Sequence, residues 1–419
     1  MHIVSFTRSV PYPGIPHAGG EYYLRHVAAL RALGHRVTIV APRTPENEHG
    51  AELAPNGVIL YGQNALPLHA SERLLLRFNP ATVTPRERRS LSETKAVFHA
   101  LSDADVVEYQ WTQAATLHRS VGRLLGRPAK RMLVLHDVMT QQISRQRDDA
   151  AASPVLRLQR AIKLALVRRT ELRAVRGADI IVVFSQKDAG HVRALSPESS
   201  AAVRVVRPPL AHGTHLRREV DAPLANGRTL QVLMVGWFRR SDNVDAALWL
   251  CREVWPLVRD RAPEARLVLA GADPTEDMRI EARLDPSIEV TGYLNSLDEQ
   301  YHRANVVAVP LQQGAGVKFK TVVAMLWGIP VVSTAVGLEG VTEDPRRVWR
   351  EAEDPADFAE GLLAVLESPT AALKVAENAR WWATEEFSES KFRDALRELL
   401  EPADPYPNTP TGLIPSSPQ

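Results

Sequence analysis

The residues best suited to chemistry lie together at Gly314-Ala315-Gly316-Val317-Lys318-Phe319-Lys320. Gly314 and Gly316 expose backbone N–H groups, and Lys318 and Lys320 add two mobile cations with one residue between them. Such a loop makes a cradle for a diphosphate, able to neutralise charge that grows on a departing nucleotide. A helix expected from Val322 to Leu326 would turn its N-terminus to the same place. The bland alternative is a basic turn with solvated lysines.

A second candidate is His136-Asp137, where the expected strand Met132 to His136 ends. Open α/β sheets bind ligands beyond the carboxyl ends of their strands, so His136 is expected to face a cleft. An imidazole there can donate to a hydroxyl or to a developing oxyanion. The chain has 13 histidines, most of which must be structural or solvent-facing, so position rather than identity singles out His136. The third candidate is the loop from Pro11-Tyr12-Pro13-Gly14 to Ala18-Gly19-Gly20-Glu21. Gly19 and Gly20 would leave helix N-terminal N–H groups open to an anion, unless they serve only as turn residues. No Gly-x-Gly-x-x-Gly is present, which argues against a nicotinamide site. Asp103-Ala104-Asp105 matches the Asp-x-Asp pattern of a divalent-cation ligand pair. It falls at the amino end of its strand, away from any cleft, and reads as a turn; no metal is expected.

The elements that must position these residues are short apolar runs alternating with amphipathic stretches, the signature of α/β layers on parallel sheets. Expected strands in the first half are His2 to Phe6, Arg36 to Ala41, Asp105 to Glu108, Met132 to His136, Asp179 to Ser185 and Val203 to Val206. A first helix is expected from about Gly20 to Leu33. The second half offers Leu230 to Gly236, Arg266 to Ala270, Ile288 to Thr291, Val306 to Pro310 and Pro330 to Ser333, with helices at Val244 to Asp260 and Glu299 to Ala304. The expected division is an N-terminal Rossmann-like domain over 1–210, a linker over 211–228, a second Rossmann-like domain over 229–385, an amphipathic helix over 386–400 and a disordered tail over 401–419.

Bulk properties narrow the class. The 419 residues exceed one ordinary core, and 45% hydrophobic with 24% charged residues is a globular profile. A formal net charge of +2 gives no bulk case for nucleic acid. The single cysteine, Cys251, excludes an internal disulfide and a cysteine-based zinc site, and reads as a buried small hydrophobe. No secretory signal and no apolar membrane span is legible, so a cytoplasmic protein is expected. The basic, apolar segment Leu74 to Arg89 reads as an ordinary surface helix; peripheral membrane contact is open but not indicated.

Several motifs agree in order and spacing over about 110 residues: Leu230-Gln-Val-Leu-Met-Val-Gly236, Asn243-Val-Asp-Ala-Ala-Leu-Trp249, Val290-Thr-Gly-Tyr293, Gly314 to Lys320, Ala324-Met325 and Gly328-Ile-Pro-Val-Val-Ser-Thr334. Together they resemble the C-terminal half of glycosyltransferase family 4. The first half is similar through Gly19-Gly20, His136 and Ile180 to Ser185 followed by Gln186-Lys187-Asp188-Ala189. The resemblance implies a GT-B fold, with two Rossmann-like domains facing across a cleft and a C-terminal helix crossing back to the first. It implies a nucleotide-sugar co-substrate on the second domain, a hydroxyl or amine acceptor on the first, and metal-independent transfer with retention at the anomeric carbon. By position Gly19 and Gly20 would meet donor phosphates, His136 the sugar, Tyr293 and Leu294 the nucleobase, and Lys318 and Lys320 the diphosphate. The sequence departs from the family pattern in four places. Val323 replaces the usual Glu before Ala-Met, and the earlier acidic position falls on Gln313 or Ala315. Trp237 and Asp242 replace a usual Arg and Lys, for which Arg239 and Arg240 are the nearest substitutes. Valine cannot accept a ribose hydroxyl, so a degenerate GT-B protein that binds without turnover is the alternative reading. A nucleotide-sugar dehydrogenase or epimerase is disfavoured by the missing dinucleotide fingerprint.

Overall fold

A computed structural model describes residues 1–15, 17–54, 56–62, 68–147, 153–211 and 230–401. The expected linker beyond Ala211 and the expected tail beyond Glu401 lie outside the described residues.

The run His2–Phe6 is buried at all five positions, as a strand must be when helices cover both faces of a parallel sheet. It forms β1. The other strands of the first sheet are β2 (Arg36–Pro42), β3 (Val58–Tyr61), β4 (Val106–Gln110), β5 (Lys130–Leu135), β6 (Ile180–Val183) and β7 (Ala202–Val205). Their order is β3-β2-β1-β4-β5-β6-β7, and every pairing is parallel. A second parallel sheet holds β8 (Gln231–Val235), β9 (Arg266–Ala270), β10 (Ile288–Gly292), β11 (Val306–Val309), β12 (Val331–Ser333) and β13 (Arg350–Glu351), in the order β10-β9-β8-β11-β12-β13. In each sheet the chain winds outward, then returns to the far side of its first strand. The reversals fall between β1 and β4 and between β8 and β11, the crevices where doubly wound sheets take ligands.

Two strands escape the sequence reading. β3 is a four-residue edge strand between Gly57 and Gly62, and β13 is two exposed charged residues; neither is long enough to show a period. The expected helix Val244 to Asp260 is also interrupted. Ser241–Trp249 and Trp255–Arg261 are α-helical, and Leu250–Val254 between them is π-helical. Pro256 has no N–H, and its ring would strike the carbonyl four residues earlier, so the wider turn relieves the clash.

The last helix does cross between halves. It begins at Glu389 rather than Glu386, because the preceding helix Pro369–Glu386 ends at Phe387 and Ser388 caps a new one. Ala372, Ala379, Ala383 and Phe387 belong to the second core. Phe392, Leu396, Leu399 and Leu400 join Tyr22, Val27 and Leu30 of the first helix, Ala18–Ala32, in the first.

Candidate active site at the seam between the two sheets

The loops after β1, β4, β5, β8 and β11 carry the candidate residues except Tyr293 and Leu294, and several of them touch. His17, after β1, stacks on Trp237, after β8, with ring centroids 6.3 Å apart. Arg145, in the helix Met139–Arg147 that follows β5, donates to the Gly314 carbonyl at 2.6 Å. Gly316 has φ +71°, and a Cβ built on it would lie 2.8 Å from the His136 carbonyl oxygen and 3.3 Å from the Asp137 Cβ. The lysine loop is thus pressed against the carboxyl edge of the first sheet with room for hydrogen only. Gly316→Ala should destabilise by about 1–2 kcal/mol from its left-handed backbone alone and should also push the halves apart. The expected result is a melting temperature lower by roughly 2–8 °C; an unchanged melting temperature would show that the seam is loose.

His136 sits at the end of a buried polar chain. Its Nε2 is 2.8 Å from Gln110 Oε1, and Gln110 Nε2 donates to Glu108 at 2.7 Å. Glu108, fully buried, also accepts from Ser5 Oγ and lies 2.7 Å from His26 Nε2. Burial alone would raise the Glu108 pKa, but His26, Ser5 and Gln110 together hold it below its usual value. An ionised Glu108 takes the Gln110 amide N–H, which turns the amide oxygen to His136 and puts the ring proton on Nε2. Burial, with His26 and His17 nearby, lowers the His136 pKa well below normal, so the ring is neutral. Its Nδ1 is buried without a hydrogen-bond partner. The expected donor is therefore an acceptor.

Trp111, which the sequence reading passed over, lies flat on that ring, centroids 4.0 Å apart and 22° between planes. It has φ +67°, a conformation costing a bulky residue on the order of 1–3 kcal/mol. The strained residue lies at the end of β4, beside the β1–β4 reversal. No composition or spacing signal announces it.

Gly20 does a different task from the one expected. The His17 ring caps the first helix and takes the Gly20 N–H at 3.0 Å. A Cβ on Gly20 would fall 2.3 Å from Ile15 Cδ1, and one on Gly19 would fall 3.0 Å from the Trp111 ring and 3.3 Å from His136 Nδ1. Both glycines let aromatic rings and the loop close in, so the Gly20 N–H is not open to an anion.

The lysines are near the seam but tethered, contrary to the mobile cations expected. The Lys318 ammonium is buried and donates to the carbonyls of Ala315 (3.2 Å) and Gly316 (2.9 Å), with Glu339 at 3.9 Å. Burial pushes its pKa down to about 8 against the pull of Glu339. Lys320 donates to Asn243 Oδ1 at 2.6 Å, and burial pushes it down to about 7 despite Asp242. Lys318 caps the helix Phe319–Leu326. Val317 and Phe319 pack against both cores, so Val317 is a packing residue of the seam. Arg240 forks onto Asp242 at 2.8 and 3.0 Å, while Arg239 is exposed. Tyr293 is 60% exposed and, with the partly buried Leu294, follows edge strand β10. Val323 packs its apolar side chain against the second core.

A further cluster was invisible in the sequence. Glu339 pairs with Arg145, 194 positions earlier, and with Lys187 at 2.6 Å. Asp103 and Asp105 are spent at strand starts: Asp103 on His2 and Arg36, Asp105 on the His2 N–H and Arg127. Cys251 is buried with its thiol pushed up to about 12, an unreactive hydrophobe.

Comparison with solved structures gives the fold. Sucrose-phosphate synthase from Thermosynechococcus elongatus superposes with TM-score 0.68 at 18% identity, over 95% of this chain and 98% of the other. The fold is GT-B. Anabaena HepE in complex with UDP and glucose gives 0.64 at 14% identity, over 95% and 98%. WaaG, a glycosyltransferase of lipopolysaccharide biosynthesis, gives 0.65 at 14%, over 95% and 99%. Residues 229–368, about a third of the chain, match the family model described as "Glycosyl transferases group 1". A Klebsiella pneumoniae protein described as an uncharacterized 44.6 kDa protein in the cps region is 25% identical over 172 residues, 39% of this chain and 44% of that protein. The chain thus matches less than half the length of that relative. Among the described residues, no helix is long and apolar enough to cross a membrane.

Proposed function

We propose that this chain is a retaining, metal-independent glycosyltransferase of family 4. It would move a sugar from a nucleoside-diphosphate donor to a hydroxyl or amine acceptor. The observation that carries the reading is the contact of Gly316 with the His136 carbonyl. It brings Lys318 and Lys320 to the same seam as the carboxyl ends of β4 and β5. In this reading the ammonium groups take the diphosphate as charge collects on it, the work a divalent cation would otherwise do. The second sheet, which carries the matched segment, holds the donor. On the first sheet the Trp111–His136 stack would face the acceptor, and the buried, unpartnered His136 Nδ1 would have to be uncovered before a hydroxyl could donate to it. Retention follows from the family resemblance.

HepE has been crystallised with UDP-glucose, which makes that donor the first to try. The test is incubation with a panel of nucleotide sugars, following release of the nucleoside diphosphate with and without acceptors. Binding without release or transfer on any acceptor would favour the non-catalytic alternative. That alternative draws on Val323 and on Gln313 or Ala315, where the family resemblance calls for carboxylates.

The lysines give the binding a pH signature. Lys320 titrates near 7 and Lys318 near 8 in the free protein, and a bound diphosphate must raise both. Below the free values each ammonium is already charged and binding takes up no proton. As pH rises through 7, binding must first protonate Lys320, and affinity should fall by up to about tenfold per pH unit. Above 8, Lys318 adds a second proton and a steeper fall. Calorimetry with UDP-glucose between pH 6 and 9 reads this directly. Lys320→Arg, charged throughout, should flatten the first part of the curve; an unchanged slope would remove Lys320 from the donor site.

A further inference from the structure

The helix Pro154–Arg176 has its buried side at Val167, Glu171 and Ala174. At 100° per residue, Val155, Leu158, Ile162 and Leu166 form a stripe on the opposite side. An ordinary surface helix is polar there. Here the four residues are 67%, 63%, 44% and 38% exposed. The same stripe continues toward the C-terminus as exposed Arg169 and Arg173, and ends at Arg176, which pairs with Glu198. The helix carries seven Lys and Arg residues against one acid, Glu171, which is buried and accepts the N–H groups of Met139 and Thr140. The helix Ala70–Phe78 packs against it and adds Leu74, 57% exposed, flanked by exposed Arg73 and Arg77.

We propose that this face docks on the surface of an anionic lipid bilayer. An exposed apolar stripe with a basic continuation is the composition of an interfacial helix: the apolar side chains enter the headgroup boundary and the cations meet lipid phosphates. Charge decides between a bilayer and a second copy, since a self-paired face would set one cationic array against another. Placement gives the docking a purpose. Glu171 holds the backbone just past the carboxyl end of β5, and Val155 lies 16 residues earlier on the helix, roughly 24 Å further out. The stripe therefore projects on the side of the sheet where the seam opens, which a membrane-bound protein would turn toward the lipid surface. The docking does not depend on the transfer reaction.

The test is co-sedimentation of the full chain with vesicles of phosphatidylcholine, alone or mixed with phosphatidylglycerol. Binding is expected to the mixed vesicles only and to weaken as salt is raised. Leu158→Ser combined with Ile162→Ser should lower partitioning at least about tenfold. Arg169→Glu with Arg173→Glu should abolish the preference for anionic lipid. All four side chains are exposed, so circular dichroism and melting temperature should match wild type. Wild-type protein that stays in solution with anionic vesicles, or serine and glutamate variants that bind like wild type, would overturn the proposal. So would a wild-type dimer in sedimentation velocity that the serine variant converts to monomer, because the face would then be an interface between copies.

Discussion

His136→Ala is expected to lower kcat by about 10²- to 10³-fold while leaving the affinity for nucleoside diphosphate nearly unchanged. The ring is held by Gln110 in one tautomer and stacked under Trp111, so its unpartnered Nδ1, buried in the free protein, has a fixed direction once uncovered. A hydroxyl that donates to this nitrogen is oriented at no entropic cost to the ring. Alanine removes the acceptor and the support of the strained Trp111 together, whereas the lysines sit on the other half of the molecule. A split between kcat and donor binding is therefore the diagnostic feature. Single-turnover rates and calorimetric Kd values, measured side by side on the same preparation, test it. Near-normal turnover would relegate His136 to packing. Gln110→Leu makes a useful companion: it should reproduce part of the loss by freeing the tautomer, with Trp111 still stacked.

The double substitution Lys318→Ala, Lys320→Ala has the opposite profile. Each charge-assisted bond to a phosphate oxygen is worth about 1.5–3 kcal/mol, or roughly 10- to 150-fold in Kd. The two groups share one ligand, so their effects will not simply add. A loss of at least about 100-fold in affinity for UDP or UDP-glucose is expected, with acceptor binding changed little. Titrating UDP into wild type and variant by calorimetry decides it. If neither lysine matters, the diphosphate is held elsewhere, and the exposed Arg239 becomes the next candidate.

The sequence made the scaffold readable because burial on both faces writes parallel strands as plain apolar runs: His2–Phe6 and Arg266–Ala270 have the same bounds in sequence and structure. Val58–Tyr61 and Arg350–Glu351 are too short, and too near an edge, to carry that mark. The lysine loop could be found from composition and its place after β11. Its tethering could not, since Asn243 lies 77 positions from Lys320 and only folding brings them together. Trp111 shows the limit most sharply. Its significance lies in a positive φ and a stacked partner 25 positions away, and neither has a signature in residue type. Gly20 misleads for a related reason: glycine signals a close approach without saying whether ligand or neighbouring side chain makes it.

The two passages of chain between the halves carry one more implication. Val206 lies in the first core and Leu210 in the second; Phe387 lies in the second and Phe392 in the first. These two short spans meet, with the Ala211 N–H donating to the Phe387 carbonyl at 3.0 Å and Ala211 bridging to Ser388. Arg207 clasps the junction, lying over the Trp382 and Phe387 rings and pairing with Glu386. The two crossings therefore lie side by side, so any relative rotation of the halves would bend the chain at one place rather than two. Such a rotation would part Arg145 from Glu339, the pair that ties the two halves at the seam.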